Sequence, residues 1–220
     1  MELTAAKAVF TVLAYLALIA GAGAMYSFYF KPRFKKVAPA LNLVFTSALG
    51  AGFFLALHAL NFNIGDFRVC GIKKAAVSLA AAALMYLANT LLLEPVSKRV
   101  FKKSSQNYEK KLAEPDLCSI FSFILVCAVS PIFEELLFRG TVLGGLDGRY
   151  GEVLALAAST LVFALSHFSL IQTPTALLAG VVLGLVYLKT GTLFAPILAH
   201  CAYNTAAFAH KRLKKTADRG

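Results

Sequence analysis

The 220-residue chain has no tryptophan, and only 15% of its residues are charged. Soluble domains carry about 25% charged and about 45–50% apolar residues. Here the apolar fraction is 59% and the mean hydropathy is +0.71. These values exclude an ordinary soluble domain and place the chain among polytopic membrane proteins. Without tryptophan, interfacial anchoring falls to the eight tyrosines and the basic residues. Four cysteines, Cys70, Cys118, Cys127 and Cys201, form no CxxC or CxxxC pair, and three lie in apolar runs. That argues against a disulfide framework and against a cysteine metal site. HExxH, which places two zinc ligands and a base on one helix, is missing, as is the GxSxG turn of a serine nucleophile. No cleavable signal peptide is expected, because the first apolar run is too long and lacks a basic start.

The net charge of +11 comes in short basic clusters between apolar runs. That pattern writes membrane orientation and implies no nucleic-acid partner. About 20 apolar residues span a bilayer. Seven segments of roughly that kind are present: 8–30, 37–60, 75–93, 117–146, 152–171, 175–188 and 193–209. The sixth is short for a span. The fourth contains Pro131, so a kink or break is expected near Ser130. The expected fold is therefore an all-α polytopic transmembrane bundle of about seven spans. Its parts are a three-helix N-terminal part (1–93), a basic cytoplasmic loop (94–116) and a C-terminal four-helix catalytic core with a short basic tail (117–220). With seven spans, the clusters at 31–36, 94–116 and 211–220 share one side. They hold fifteen of the 22 basic residues, against seven on the other side. The N-terminus is then expected outside and the C-terminus in the cytoplasm.

Polar residues are unevenly distributed among these spans. The first three hold Asn42, His58 and Asn89; the last four hold Glu134, Glu135, Arg139, His167, His200 and Asn204. An ionisable group at the bilayer centre costs about 2.5–3.5 kcal/mol on insertion scales, and persists where it faces a protein interior or a wet cavity. Chemistry is therefore expected in the C-terminal part. In "EELLFRG" Glu135 and Arg139 are i and i+4 and can pair. Glu134 points about 100° away from Glu135. Less neutralised, Glu134 suits a general base acting on water, with Glu135 and Arg139 supporting it. In "FALSH" Phe163 and His167 share one helix face, as do His200 and Asn204 in "HCAYN". Asn42 and Asn89 read as polar glue between helices, His58 as structural, and the "GVVLG" pair Gly180 and Gly184 as close helix packing.

In this order the three segments match EExxxR(G), FxxxH and HxxxN, and they resemble the CPBP intramembrane proteases. That family includes type II CAAX prenyl endopeptidases and bacterial bacteriocin-processing or immunity proteins. The resemblance covers about the last hundred residues. It implies hydrolysis of a peptide bond in a membrane-associated or prenylated peptide, in a prokaryotic cell membrane. By position Glu134 would activate water with help from His167, and His200 and Asn204 would stabilise the oxyanion. Glu135, Arg139 and Phe163 would support them. Partners would be membrane lipids and the peptide or prenylated protein substrate. No cofactor is certain. A divalent metal, zinc, is the open alternative, with Glu134, His167 and His200 as its ligands, although a metal-free glutamate–water mechanism is preferred. The rival functions are a non-proteolytic membrane regulator or immunity scaffold of the same family, and an ion-coupled transporter. The second is disfavoured because the chain shows no internal repeat.

Overall fold

A computed structural model describes residues 4–62, 64–112 and 119–217. Among the described residues there are eight helices and no strand. They are α1 (Ala5–Arg33), α2 (Ala38–Ala59), α3 (Ile72–Val100), α4 (Lys102–Leu112), α5 (Ile120–Tyr150), α6 (Glu152–Leu165), α7 (Thr173–Thr190) and α8 (Phe194–Ala217). Five of them, α1, α2, α3, α5 and α7, are long and apolar enough to cross a membrane. The chain is thus an all-α, multi-pass membrane bundle.

Two of the expected segments take a different form. The fifth was read as a span over 152–171, but α6 ends at Leu165 after 14 residues. At 1.5 Å per residue that is about 21 Å, short of a hydrocarbon core of about 30 Å. The sixth is longer than its apolar run, because α7 has 18 residues and starts beside Pro174, a favoured residue in a first helical turn. The 94–116 segment is largely helical. It contains the last turns of α3 and then α4, a polar helix. Residues 113–118, including Cys118, lie outside the described residues.

Pro131 does not break α5. The preceding turn, Leu125–Val129, widens to π geometry, and the Ser130 N–H reaches back five residues to the Leu125 carbonyl. The same device precedes Pro32, where Lys31 donates to Tyr26, and Pro95, where Glu94 donates to Asn89. A wide turn relieves the clash between the proline ring and the carbonyl four residues back, so three long helices pass through a proline intact.

The N-terminal helices lean on the helix that carries the glutamates. The Phe54 ring stacks on Phe133 at 5.7 Å, and Tyr15 packs against Phe53 and Phe54 at 5.5 and 6.0 Å. Gly50 of α2 makes room, since a methyl group there would strike the Phe133 ring. Asn89 does act between helices, accepting from the Thr175 hydroxyl at 2.5 Å, whereas Asn42 accepts from Thr46 within α2 at 3.4 Å. Gly180 and Gly184 let α7 approach Thr160 and Leu156 of α6. His58 is exposed near the end of α2. At one end of the bundle, Lys211 of α8 bonds the Tyr108 hydroxyl of α4 at 2.9 Å. Two of the basic clusters therefore share that end. At the other end, Lys74 donates to the Thr190 carbonyl at 2.6 Å.

Candidate active site

Glu134, His167, His200 and Asn204 line one cavity of about 370 Å³, together with Phe163, Ser130 and Val126. The two glutamates separate as their helix angle requires. The Glu135 side chain is 0% exposed, whereas Glu134 is 26% exposed and opens to the cavity. Glu135 Oε1 accepts from Arg139 Nη1 at 2.8 Å, one turn along α5. The Arg139 guanidinium also donates to the Ala179 and Gly180 carbonyls of α7 at 3.4 and 3.3 Å. Its Cζ lies 4.6 Å from the Phe163 ring centre. An Arg buried in this way needs both the carboxylate and the carbonyls, because an unpaired buried charge is strongly destabilising.

Glu135 has a second partner that motif spacing did not reveal. His200 Nδ1 lies 2.8 Å from the same Oε1. A carboxylate oxygen accepts, so Nδ1 carries the proton and the other ring nitrogen turns toward Glu134. His200 Nε2 is 3.8 Å from Glu134 Oε2. The sequence places these residues 65 positions apart, and only the packing of α5 against α8 brings them together.

His167 is not inside a helix, as the sequence reading had it. It sits in the turn after α6. Its Nδ1 donates to the Phe163 carbonyl at 2.9 Å, keeping the i, i+4 relation of FxxxH although the helix has ended. Among the described residues Nε2 has no hydrogen-bond partner. Phe163 is the hub of the group: its ring meets those of Phe138, His167 and His200 at centroid distances of 5.1, 5.0 and 6.0 Å. Asn204 Nδ2 donates to the Val126 carbonyl of α5 at 2.9 Å. Ser166, the neighbour of His167, is committed to the backbone. Ser166 Oγ donates to the Phe163 carbonyl at 2.7 Å.

The metal alternative can be tested on this geometry. Each histidine has one ring nitrogen anchored, which is how metal-ligating histidines are oriented. Yet among the described residues no three His, Cys, Asp or Glu side chains come together as a donor set.

The family model for the type II CAAX prenyl endopeptidase Rce1-like domain matches residues 116–206. That range contains all three motifs and every residue of the cluster. The chain is also similar to the membrane-embedded CAAX protease MroQ of Staphylococcus aureus (strain USA300). The two are 31% identical over 106 residues, covering 46% of this chain and 42% of the relative. The match therefore spans less than half of that relative's length. No solved structure matches the chain. Residues 116–206, the range that carries the three motifs, are thus similar to the Rce1-like type II CAAX prenyl endopeptidases.

Proposed function

We propose that the protein is an intramembrane endopeptidase in which Glu134 activates a water molecule to attack a peptide carbonyl. The observation that carries this reading is the convergence of Glu134, His167, His200 and Asn204, from three separate polypeptide segments, on one cavity. Glu134 is the carboxylate open to that cavity, while Glu135 is committed to Arg139 and His200.

In this reading Glu134 takes a proton from water as the oxygen bonds to the carbonyl carbon. His167, which lines the same cavity, orients the water. The carbonyl oxygen becomes an oxyanion, held by His200 Nε2–H and the second N–H of Asn204. For that role both ring nitrogens must carry a proton, and Glu135, which lies against Nδ1, would stabilise the charge. Collapse of the intermediate breaks the C–N bond, and Glu134 returns its proton to the departing amine. The products are a carboxylic acid and an amine. Each oxyanion donor of this kind contributes about 2.7–4 kcal/mol.

The substrate class is a membrane-associated peptide, with a prenylated tail as one form of it. The proposed orientation keeps the C-terminus and α4 in the cytoplasm of a prokaryotic cell membrane, on the side richer in Lys and Arg. The experiment is mass spectrometry of membrane peptides from cells carrying the wild-type protein or Glu134→Gln. Peptides that accumulate uncut only with the variant are expected. Identical profiles, with both proteins folded and present, would replace catalysis with a binding or immunity role.

A further inference from the structure

The turn between α6 and α7, residues 166–172, carries His167. α6 stops at Leu165, so the backbone here has no helix ladder to complete. Phe168 takes a left-handed φ of 47°, which a residue with a Cβ keeps only where its surroundings impose it. Most hydrogen bonds of the turn are local. The His167 N–H reaches the Ala164 carbonyl at 3.4 Å, the Phe168 N–H the Leu165 carbonyl at 3.2 Å, and the Gln172 N–H the Ser169 carbonyl at 2.9 Å. The exception among the described residues is Ile171. Its N–H donates to Ser104 Oγ of α4 at 3.3 Å, across 67 positions of sequence. Ile171 is buried, and a buried N–H left without an acceptor is costly.

The helix that supplies this acceptor is itself tied down. α4 exposes Lys102, Lys103, Gln106 and Lys110, while Ser105 is buried. Ser104 and Tyr108 are i and i+4 and share another face. Each bonds a different element: Ser104 the turn, and Tyr108 the Lys211 ammonium of α8 at 2.9 Å. Glu109 reaches Lys98 of α3 at 3.2 Å, and Glu94 shares that lysine at 2.9 Å. A helix of this length is marginal alone in water, so its ties to α3, α8 and the turn fix its place. Tyr108, Ile171 and His167 all line the catalytic cavity.

We propose that Ser104 is a positioning residue for His167: by holding Ile171 it fixes the turn from which the imidazole meets the water. The inference rests on the peptidase reading and deepens it, because it makes the polar helix α4 a working part of the site. The ring of His167 is set by its Nδ1 bond to the Phe163 carbonyl at 2.9 Å. The backbone beneath it is held weakly on the α6 side, where the His167 N–H contact is long at 3.4 Å. Ser104 supplies the hold on the other side, four residues along. A turn held at both ends keeps the imidazole in one place, and small displacements of a catalytic group are expensive in rate.

The test uses the full chain in phosphatidylcholine nanodiscs, with carbon-13 at histidine Cε1, and a farnesylated, internally quenched peptide as substrate. The four histidines give four signals, and the one lost in His167→Gln belongs to His167. Ser104→Ala should move that signal and leave the His58 signal in place. Ser104→Thr, which keeps a hydroxyl acceptor, should restore it. On the peptide, Ser104→Ala should lower kcat at least about tenfold with KM unchanged, and Ser104→Thr should recover most of the loss. In the His167→Gln background, Ser104→Ala should cost no further kcat, because the group it positions is gone. If Ser104→Ala does not fold, Ser104→Cys takes its place, since a thiol is a weak acceptor. An unmoved His167 signal, an unchanged kcat, or losses that add in the cycle overturn the proposal. If the wild type cuts no peptide, the spectra alone decide, whatever becomes of the peptidase reading. A moved signal restored by Ser104→Thr then upholds the hold on the turn, and an unmoved one overturns it.

Discussion

The side-chain amide of Asn204 donates to the Val126 carbonyl at 2.9 Å, across the α5–α8 contact. That carbonyl is available because of Pro131. The Ser130 N–H is drawn back to Leu125 by the π turn, and Pro131 has no N–H to offer. Asn204 thus supplies a donor that the backbone of α5 lacks, and the same amide carries the second N–H assigned above to the oxyanion. Asn204→Ala should therefore lose activity and also about 1 kcal/mol of stability, the net worth of one such bond. Pro131→Ala restores a backbone donor, so the stability loss of Asn204→Ala should shrink in that background. Thermal melts of the four proteins in the cycle check this, and strict additivity would refute the link.

Glu134→Gln should reduce turnover by at least about 100-fold, the lower end of what a positioned base contributes. Its melting temperature should stay near wild type, because the side chain opens to the cavity and has no ion pair with Arg139. Retained turnover would remove Glu134 from the mechanism. A folding defect alone would assign it to the bundle instead.

Glu135 and Arg139 should behave differently. Both are fully buried, and each loses its charge partner when the other is truncated. Glu135→Ala or Arg139→Ala should destabilise by about 3–5 kcal/mol, as expected for a broken buried pair. Replacing both with apolar residues should cost less stability than either single change, yet activity should stay absent because His200 has lost its anchor. Full stability with purely catalytic loss in the single variants would contradict this assignment.

Chelator treatment and zinc add-back should leave peptide cleavage unchanged if the glutamate–water mechanism holds without a metal. A chelator-sensitive activity restored by zinc would mean that Glu134, His167 and His200 move together into a coordination sphere. Metal content of the purified protein, measured alongside, distinguishes a bound ion from an effect of zinc on the peptide.

Much of this arrangement is legible in the sequence because membranes penalise buried charge. Glu134, Glu135 and Arg139 stand out in an apolar run, and their spacing alone separates the paired carboxylate from the open one. Helical i, i+4 spacing likewise relates Phe163 to His167 and His200 to Asn204. Contacts between helices are not legible. Nothing in the spacing shows that His200 would share Glu135 with Arg139, or that Asn204 would meet a carbonyl freed by a proline. The early end of α6 was also missed, because residues 166–171 are apolar enough to pass as helix while the chain turns there. Pro131 points to a kink or a break because proline removes a hydrogen bond; a π turn absorbs that defect, so the helix is not broken.

Gly140 offers a test of how tightly the site is held from behind. Its neighbour is the loop before α3: a Cβ there would strike the Ile64 carbonyl. That loop is itself fastened to the start of α8. Leu193 N–H donates to the Asp66 carbonyl at 2.7 Å, and the Thr192 hydroxyl donates to the Arg68 carbonyl at 2.6 Å. A backbone neighbour fastened two and four residues further along cannot move aside cheaply. Gly140→Ala should therefore destabilise by about 1–3 kcal/mol, the range for overpacking, and should lower activity by shifting the adjacent Arg139. Gly23→Ala in α1 is the control. Nothing lies within 4 Å of its new methyl, and alanine favours helix over glycine by about 0.5–1 kcal/mol. Melting curves should move down for the first variant and level or up for the second. Equal shifts would show that the loop yields and that Gly140 is not held against it.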